Sequence, residues 1–166
     1  MKEPVLVELD EFLVMGIETM TSETLESSDA DPAKARLPRL WATFFNEAIE
    51  EGIPNRKDRN EHVGVYTEYD RDPNSRTFGA YAALAGCEVT EIGEDVPEGL
   101  VAMPVPAGKY LLFEARGPMP DAVIRTWGEI KTFFADNPHY ERAFTADFDL
   151  YRNDRPDAVD IFVSVL

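Results

Sequence analysis

Apolar and polar residues alternate at the start of the chain, with Val5, Val7 and Leu9 followed by the run FLVMGIETM from Phe12. A two-residue period predicts β-structure over residues 4–10 and 12–20, as one strand broken near Asp10-Glu11. Residues 21–31 (TSETLESSDAD) are polar and read as a loop. The period then changes. Leu37, Leu40, Trp41, Phe44, Phe45 and Ala48 fall on one face of a 3.6-residue repeat, which predicts a helix. Asp31-Pro32 caps its start, Gly52 and Pro54 close it, and Glu50-Glu51 in its last turn oppose the helix dipole. Residues 63–69 (VGVYTEY) return to alternation, with Gly64, Tyr66 and Glu68 on one face. The turn Asp72-Pro73-Asn74-Ser75 leads into a paired strand of small residues, 77–85.

The same order then recurs. Residues 100–115 are strand material interrupted by Pro104, Pro106 and Gly108. Gly117-Pro118-Met119-Pro120 turns into a helix with Val123, Trp127, Ile130 and Phe134 on its apolar face, ended by Asp136-Asn137-Pro138. Strands follow at 143–151 and 158–165. The helices echo each other, with Arg39-Leu40-Trp41 against Arg125-Thr126-Trp127, and Tyr66 and Tyr69 echo Phe148 and Tyr151. The expected fold is α+β: two fused β-α-β-β modules with pseudo-twofold symmetry, an antiparallel sheet and two main helices. Module one covers about 1–86, an acidic connector 87–99 and module two about 100–166, together one domain. Two modules side by side leave a crevice at their junction, where pockets form.

Composition narrows the function. The formal charge of −16 over 166 residues repels phosphates, so direct nucleic-acid binding is excluded as an expectation. A single cysteine, Cys87, cannot close an internal disulfide and fits a reducing compartment. The acidic N-terminal run lacks the apolar core of an export signal, and no apolar run reaches the roughly 18 residues of a membrane span. The expected location is the cytoplasm.

Chemistry-bearing patterns are sparse. His62 and His139 are far apart, and no metal-ligand spacing, P-loop, Gly-x-Gly-x-x-Gly or Gly-x-Ser-x-Gly turn occurs. Neither a catalytic set nor a cofactor is expected. The informative feature is Asp149, one acid in the aromatic strand Phe148-Asp149-Leu150-Tyr151. A buried carboxylate is costly unless compensated, and an organic cation ringed by aromatics compensates it with about 0.5–2 kcal/mol per ring. Alternation puts Asp149 and Tyr151 on one face. The candidate ligand-binding residues are Asp149, Tyr151, Trp127, Trp41, Tyr66, Glu68, Tyr81 and Phe45. Tyr110 is a further aromatic candidate, and Glu114 reads as a solvated strand acid. On pattern alone Asp149 is equally an exposed strand acid, and the two tryptophans are equally plain core.

Three segments carry a family resemblance. They are Val105-Pro106-Ala107-Gly108-Lys109-Tyr110 with Leu112-Phe113 and Gly117, then Thr126-Trp127, then Phe148-Asp149-Leu150-Tyr151 with the terminal strand VDIFVSV. Together they resemble the gyrase-inhibitory-protein-like small-molecule-binding family, which includes effector-binding domains of AraC- and MerR-type multidrug regulators and integron-associated effector-binding proteins. The resemblance implies a pocket between the modules for amphipathic, often cationic compounds. Asp149 stands where the family has glutamate, one methylene shorter, and Ser164 stands where proline is usual. The expectation is a stand-alone protein, monomer or homodimer, that captures or senses hydrophobic, cationic small molecules. Two alternatives remain open: a hydrolase of electrophilic small molecules using the same acid and a tyrosine, and an acidic module that docks on a protein partner such as a DNA-processing enzyme.

Overall fold

The computed structural model describes residues 2–27 and 29–166. Ser28, inside the expected 21–31 loop, lies outside the described residues, as does Met1. The chain runs β1 (Val5–Leu9), β2 (Phe12–Ser22), a one-turn helix α1 (Glu23–Glu26), α2 (Leu37–Asn46), β3 (Glu61–Thr67), β4 (Ala80–Val89), β5 (Val101–Val105), β6 (Gly108–Arg116), α3 (Asp121–Asp136), β7 (Ala146–Arg152) and β8 (Ala158–Val165). Short 3-10 turns occupy Pro32–Lys34 and Ile49–Gly52.

All eight strands form one antiparallel sheet in the order β1-β6-β8-β7-β3-β4-β2-β5. The expected pairing of two β-α-β-β modules is present: β2-α2-β3-β4 and β6-α3-β7-β8 meet at the β3–β7 seam, where Gly64 lies opposite Asp149 and Tyr66 opposite Asp147. The leading strands behave differently from expectation. β1 and β2 are not one broken strand: β1 pairs with β6 of the second module, and β5, which leads into β6, pairs with β2 of the first. Each module therefore lends an edge strand to the other.

One face of the sheet gathers side chains from every strand into a single cluster, among them Val7 and Leu9 of β1, Val14, Val65, Leu84, Val105, Tyr110, Phe148 and Phe162. Edge and central strands share one core only if the sheet curls around it. Both helices cover the other face. α2 sets Leu40 and Phe44 into the core with Met15, Ala83, Ala85 and Cys87; α3 sets Ala122 and Ile130 onto Phe113, Ala115, Ile161 and Val163. The small residues of β4 now have a purpose, since they leave room for the rings of α2.

Boundaries moved where local chemistry decided them. Asp31 caps the 3-10 turn by accepting from Ala33 N–H at 3.0 Å, and α2 begins only at Leu37 with Pro38 in its first turn, where no N–H is needed. Ala48 adopts a left-handed conformation (φ 50°) and ends the helix early. Glu50 and Glu51 therefore sit in the following 3-10 turn rather than against the dipole of α2. Glu50 instead receives His62 Nε2 at 2.5 Å and Arg56 at 3.6 Å. β4 continues to Val89, so the connector begins after the expected position 87.

Candidate functional site

Across the β3–β7 seam, on the helix-covered face, α3 and the α1–α2 segment stand apart and leave a cavity of about 300 Å³. Tyr66, Tyr69, Tyr81 and Trp127 form its aromatic walls, and Leu37, Val123 and Ile124 its aliphatic side. The rings meet edge to face: Tyr66 lies 6.0 Å from Trp127 at 89° and 5.9 Å from Tyr81 at 84°. Glu23 and Glu26 from α1 and Lys131 and Arg142 from the second module supply the charges on its walls.

Behind this wall lies Asp149, fully buried. The Tyr66 hydroxyl donates to its Oδ2, and its Oδ1 has no hydrogen-bond partner. Burial raises its pKa from the usual carboxylate range to about 7, and the charge of Asp147 adds to the rise; donation from Tyr66, and to a lesser degree from the Trp127 and Tyr151 donors that face the carboxyl without reaching hydrogen-bond geometry at Oδ1, holds it down in part. In turn, burial and the charge of Asp149 push the Tyr66 and Tyr151 hydroxyls well above their ordinary range. Among the described residues no cation is paired with this acid.

Asp147, two residues earlier on the same face, is also fully buried, yet every one of its oxygens is engaged. Oδ2 accepts from Tyr69 at 2.5 Å and Arg142 at 2.6 Å; Oδ1 accepts from Ser164 N–H at 2.8 Å and its hydroxyl at 3.1 Å. Ser164 thus supplies both a backbone and a side-chain donor to this acid. Deleting the Tyr69 hydroxyl in Tyr69→Phe leaves one buried charge short of a donor, and urea unfolding should show a loss of about 1.5–3 kcal/mol; a change under about 0.5 kcal/mol means Arg142 and Ser164 alone satisfy Asp147.

The eight candidate residues fall into three groups. Tyr66, Tyr81 and Trp127 line the cavity. Asp149, Tyr151 and Trp41 form the layer behind it: Trp41 packs on Tyr151 at 5.2 Å between ring centres, and its indole edge lies over Gly64. Phe45 and Glu68 sit elsewhere. Phe45 stacks on the outer side of Trp41 at 5.7 Å, touches His62 and is half exposed. Glu68 follows the end of β3 in a left-handed conformation (φ 53°), so the alternation that would aim it beside Tyr66 has already stopped. Its charge raises the pKa of Glu18, for which burial is the larger cause.

The proposed echo of Tyr66 in Phe148 does not hold, because Phe148 points to the opposite face and packs on Tyr110, Phe12 and Phe162. Tyr110 belongs to that same core and donates to Pro106 O at 2.6 Å. Glu114 is no free surface acid, being paired with Arg116 at 2.6 Å and Arg155 at 3.0 Å. Sequence reasoning missed Tyr69, Arg142 and Asp147. Asp147 was legible, since alternation through Asp147, Asp149 and Tyr151 puts two acids on one face. Arg142 was not, because it lies in irregular chain. Among the described residues no group of three or more His, Cys, Asp or Glu side chains is placed to hold a metal ion, and no helix is long and apolar enough to cross a membrane.

The double β-α-β-β module on one antiparallel sheet is the fold of effector-binding domains. The family model described as integron-associated effector binding protein matches residues 5–165, and the chain belongs to that family. It is 30% identical to an integron cassette protein from the mobile metagenome of Vibrio cholerae, whose crystal structure superposes with a TM-score of 0.75 over 99% of this chain and 97% of that one. A structure of SAV2435 bound to tetraphenylphosphonium shares the fold, with a TM-score of 0.76 at 16% identity over 99% of this chain and 94% of that one. Bacillus subtilis (strain 168) YobU, named for a transcriptional-regulator role, is 28% identical over 137 residues, 82% of this chain and 78% of its own length. Pseudomonas aeruginosa transcriptional regulator BrlR is 26% identical over 166 residues, 96% of this chain, which spans about half (54%) of BrlR. The chain is an effector-binding protein related to the ligand-binding domains of transcription regulators.

Proposed function

We propose that the protein captures a hydrophobic organic cation in the cavity between α1–α2 and α3, with Asp149 as the counter-charge. The observation that carries this reading is the unequal treatment of two neighbouring buried acids. Asp147 has its own cation in Arg142. Among the described residues Asp149 has none, keeps one oxygen without a hydrogen bond, and lies directly behind the aromatic wall. A buried charge left in that state is unfavourable by several kcal/mol in the general case, and a ligand bringing the missing positive charge relieves it. Tyr66, Tyr69, Tyr81 and Trp127 supply faces and edges for its apolar body. The binding of tetraphenylphosphonium by SAV2435, a protein of the same fold, supports the ligand class. Tyr66 donates to Asp149 and also lines the cavity, so a swing of its ring would bring a ligand onto the carboxylate.

Titration with tetraphenylphosphonium, followed by tryptophan fluorescence, tests the reading: Trp127 lines the cavity and Trp41 lies one layer behind, so saturable quenching is expected. The pH dependence follows from Asp149. Binding needs the ionised carboxylate, whose pKa in the free protein is about 7, so each ligand bound below that pH releases a proton. Affinity should fall roughly 30-fold between pH 8 and pH 5.5 by linkage. A flat profile over that range excludes Asp149 as the counter-charge even if the cavity binds the ligand.

A further inference from the structure

The guanidinium of Arg142 occupies the surroundings an organic cation would seek. It stands 4.3 Å from the Phe144 ring centre, 5.6 Å from Tyr69 and 5.7 Å from Trp127. It pairs with Asp147 at 2.6 Å, its side chain is only 12% exposed, and its Nε is buried without an acceptor. It also forms part of the cavity wall. The segment carrying it is fixed to β8: Arg142 bridges Val165, Ala143 N–H donates to Ser164 O at 2.9 Å, and Leu166 N–H donates to Glu141 O at 3.0 Å. Arg142 is therefore a cation tethered inside a site built for cations.

Its consequence is a matter of charge. Asp147 and Asp149 are two residues apart on one strand face, roughly 6.6 Å along the chain, so the site has places for two positive charges and one is filled. The cavity and its immediate backing hold four carboxylates, Glu23, Glu26, Asp147 and Asp149, against three cations, Arg71 (paired with Glu23 at 3.2 Å), Lys131 and Arg142. One negative charge is in excess when Asp149 is ionised. Glu26 is not available for a second ligand charge, since it accepts from the Arg36 and Leu37 N–H groups at the start of α2 and from the Thr21 hydroxyl.

We propose that Arg142 sets the charge of the ligand: by occupying the Asp147 place it restricts the cavity to compounds with one positive charge and turns away dications. The proposal rests on Asp149 being the ligand's counter-charge. Removing the guanidinium while keeping Asp147 opens a second cation place next to the first, and the site becomes one for dications.

Two flat two-ring probes of similar body, N-methyl-4-phenylpyridinium with one charge and methyl viologen with two, measure this by calorimetry at pH 8. Wild-type protein should bind the monocation at least about tenfold more tightly. Arg142→Gln should shift the dication-to-monocation affinity ratio toward the dication by at least about tenfold, and Arg142→Lys, which keeps the charge, should return it to near the wild-type value. A cooperatively melting Arg142→Gln protein with the wild-type ratio overturns the proposal. If Arg142→Gln does not fold, Asp147→Asn gives the reciprocal reading: the guanidinium, freed of its partner, should lower monocation affinity at least about tenfold, and unchanged affinity overturns the proposal. Failure of the underlying reading looks different. Wild-type protein then binds neither probe, or binds the monocation equally well after Asp149→Asn.

Discussion

Asp149→Asn should make the protein more stable at pH 8 while cutting its affinity for an organic cation at least about tenfold, or about 1.4 kcal/mol. Both effects have one cause. The carboxyl titrates near its ordinary 3.8 in the unfolded chain and near 7 in the folded one. Folding therefore raises the pKa, and the sign of the linkage follows: below about pH 4 both states are protonated and nothing is lost. Between about pH 4 and pH 7 the unfolded chain ionises first, so stability declines as pH rises. Above about pH 7 the full penalty applies, and at about 1.4 kcal/mol per pH unit it amounts to about 4 kcal/mol. An asparagine never ionises, so it avoids that penalty. Its Oδ1 can still accept from Tyr66, but its amide N–H groups lack an acceptor, which returns about 1–3 kcal/mol. The net expectation is a gain of roughly 1–3 kcal/mol in urea unfolding at pH 8 and no gain at pH 4.5, where the native aspartate is already neutral. Equal effects at the two pH values, or destabilisation at pH 8, mean that Asp149 is not a desolvated charge. Under the proposed function such a carboxylate is a group kept at the expense of stability for the ligand that binds it.

Element order was legible because hydrophobic period reports local structure: the helix positions of Leu40 and Phe44 and of Ile130 emerged from spacing alone, as did the alternation that puts Asp149 and Tyr151 on one face, whereas Ala122 on α3 and the burial of Asp149 did not. What a strand pairs with was not legible. Val5, Val7 and Leu9 alternate in the same way whether β1 continues into β2 or crosses to β6, and the choice depends on contacts about a hundred residues away, such as Val7 opposite Tyr110. Glu68 sits away from the cavity because the backbone leaves its period there. Glu68 was placed by extending the β3 alternation one step past Thr67, where the chain turns left-handed. Arg142 was invisible for the complementary reason: an arginine in irregular chain has no period to give it a face, and its importance comes from Asp147, which alternation does place.

The exchanged edge strands also explain a constraint that has nothing to do with the ligand. β2 is gripped on both sides, by β4 and by the borrowed β5, and at the crossing point Gly16 lies opposite Gly86 and also Val101. A Cβ on Gly86 would stand 2.1 Å from Met15 O, and one on Gly16 would stand 2.1 Å from Ala85 O. Each obstacle is backbone of a paired strand, so it can move only if the β2–β4 ladder parts. Gly86→Ala should therefore destabilise by on the order of 3 kcal/mol or more in urea unfolding, beyond the usual effect of overpacking a core, because no rotamer change relieves the clash. The effect should reach the cavity as well, since β4 carries Tyr81 and ends beside the Arg56 bridge to Val89. Gly128 provides the contrast. It lies in α3 with nothing within 4 Å of a new Cβ, so Gly128→Ala should stabilise by about 0.5–1 kcal/mol through helix propensity. A Gly86→Ala protein within about 1 kcal/mol of wild type would mean that β2 and β4 do not approach as closely as the facing glycines allow.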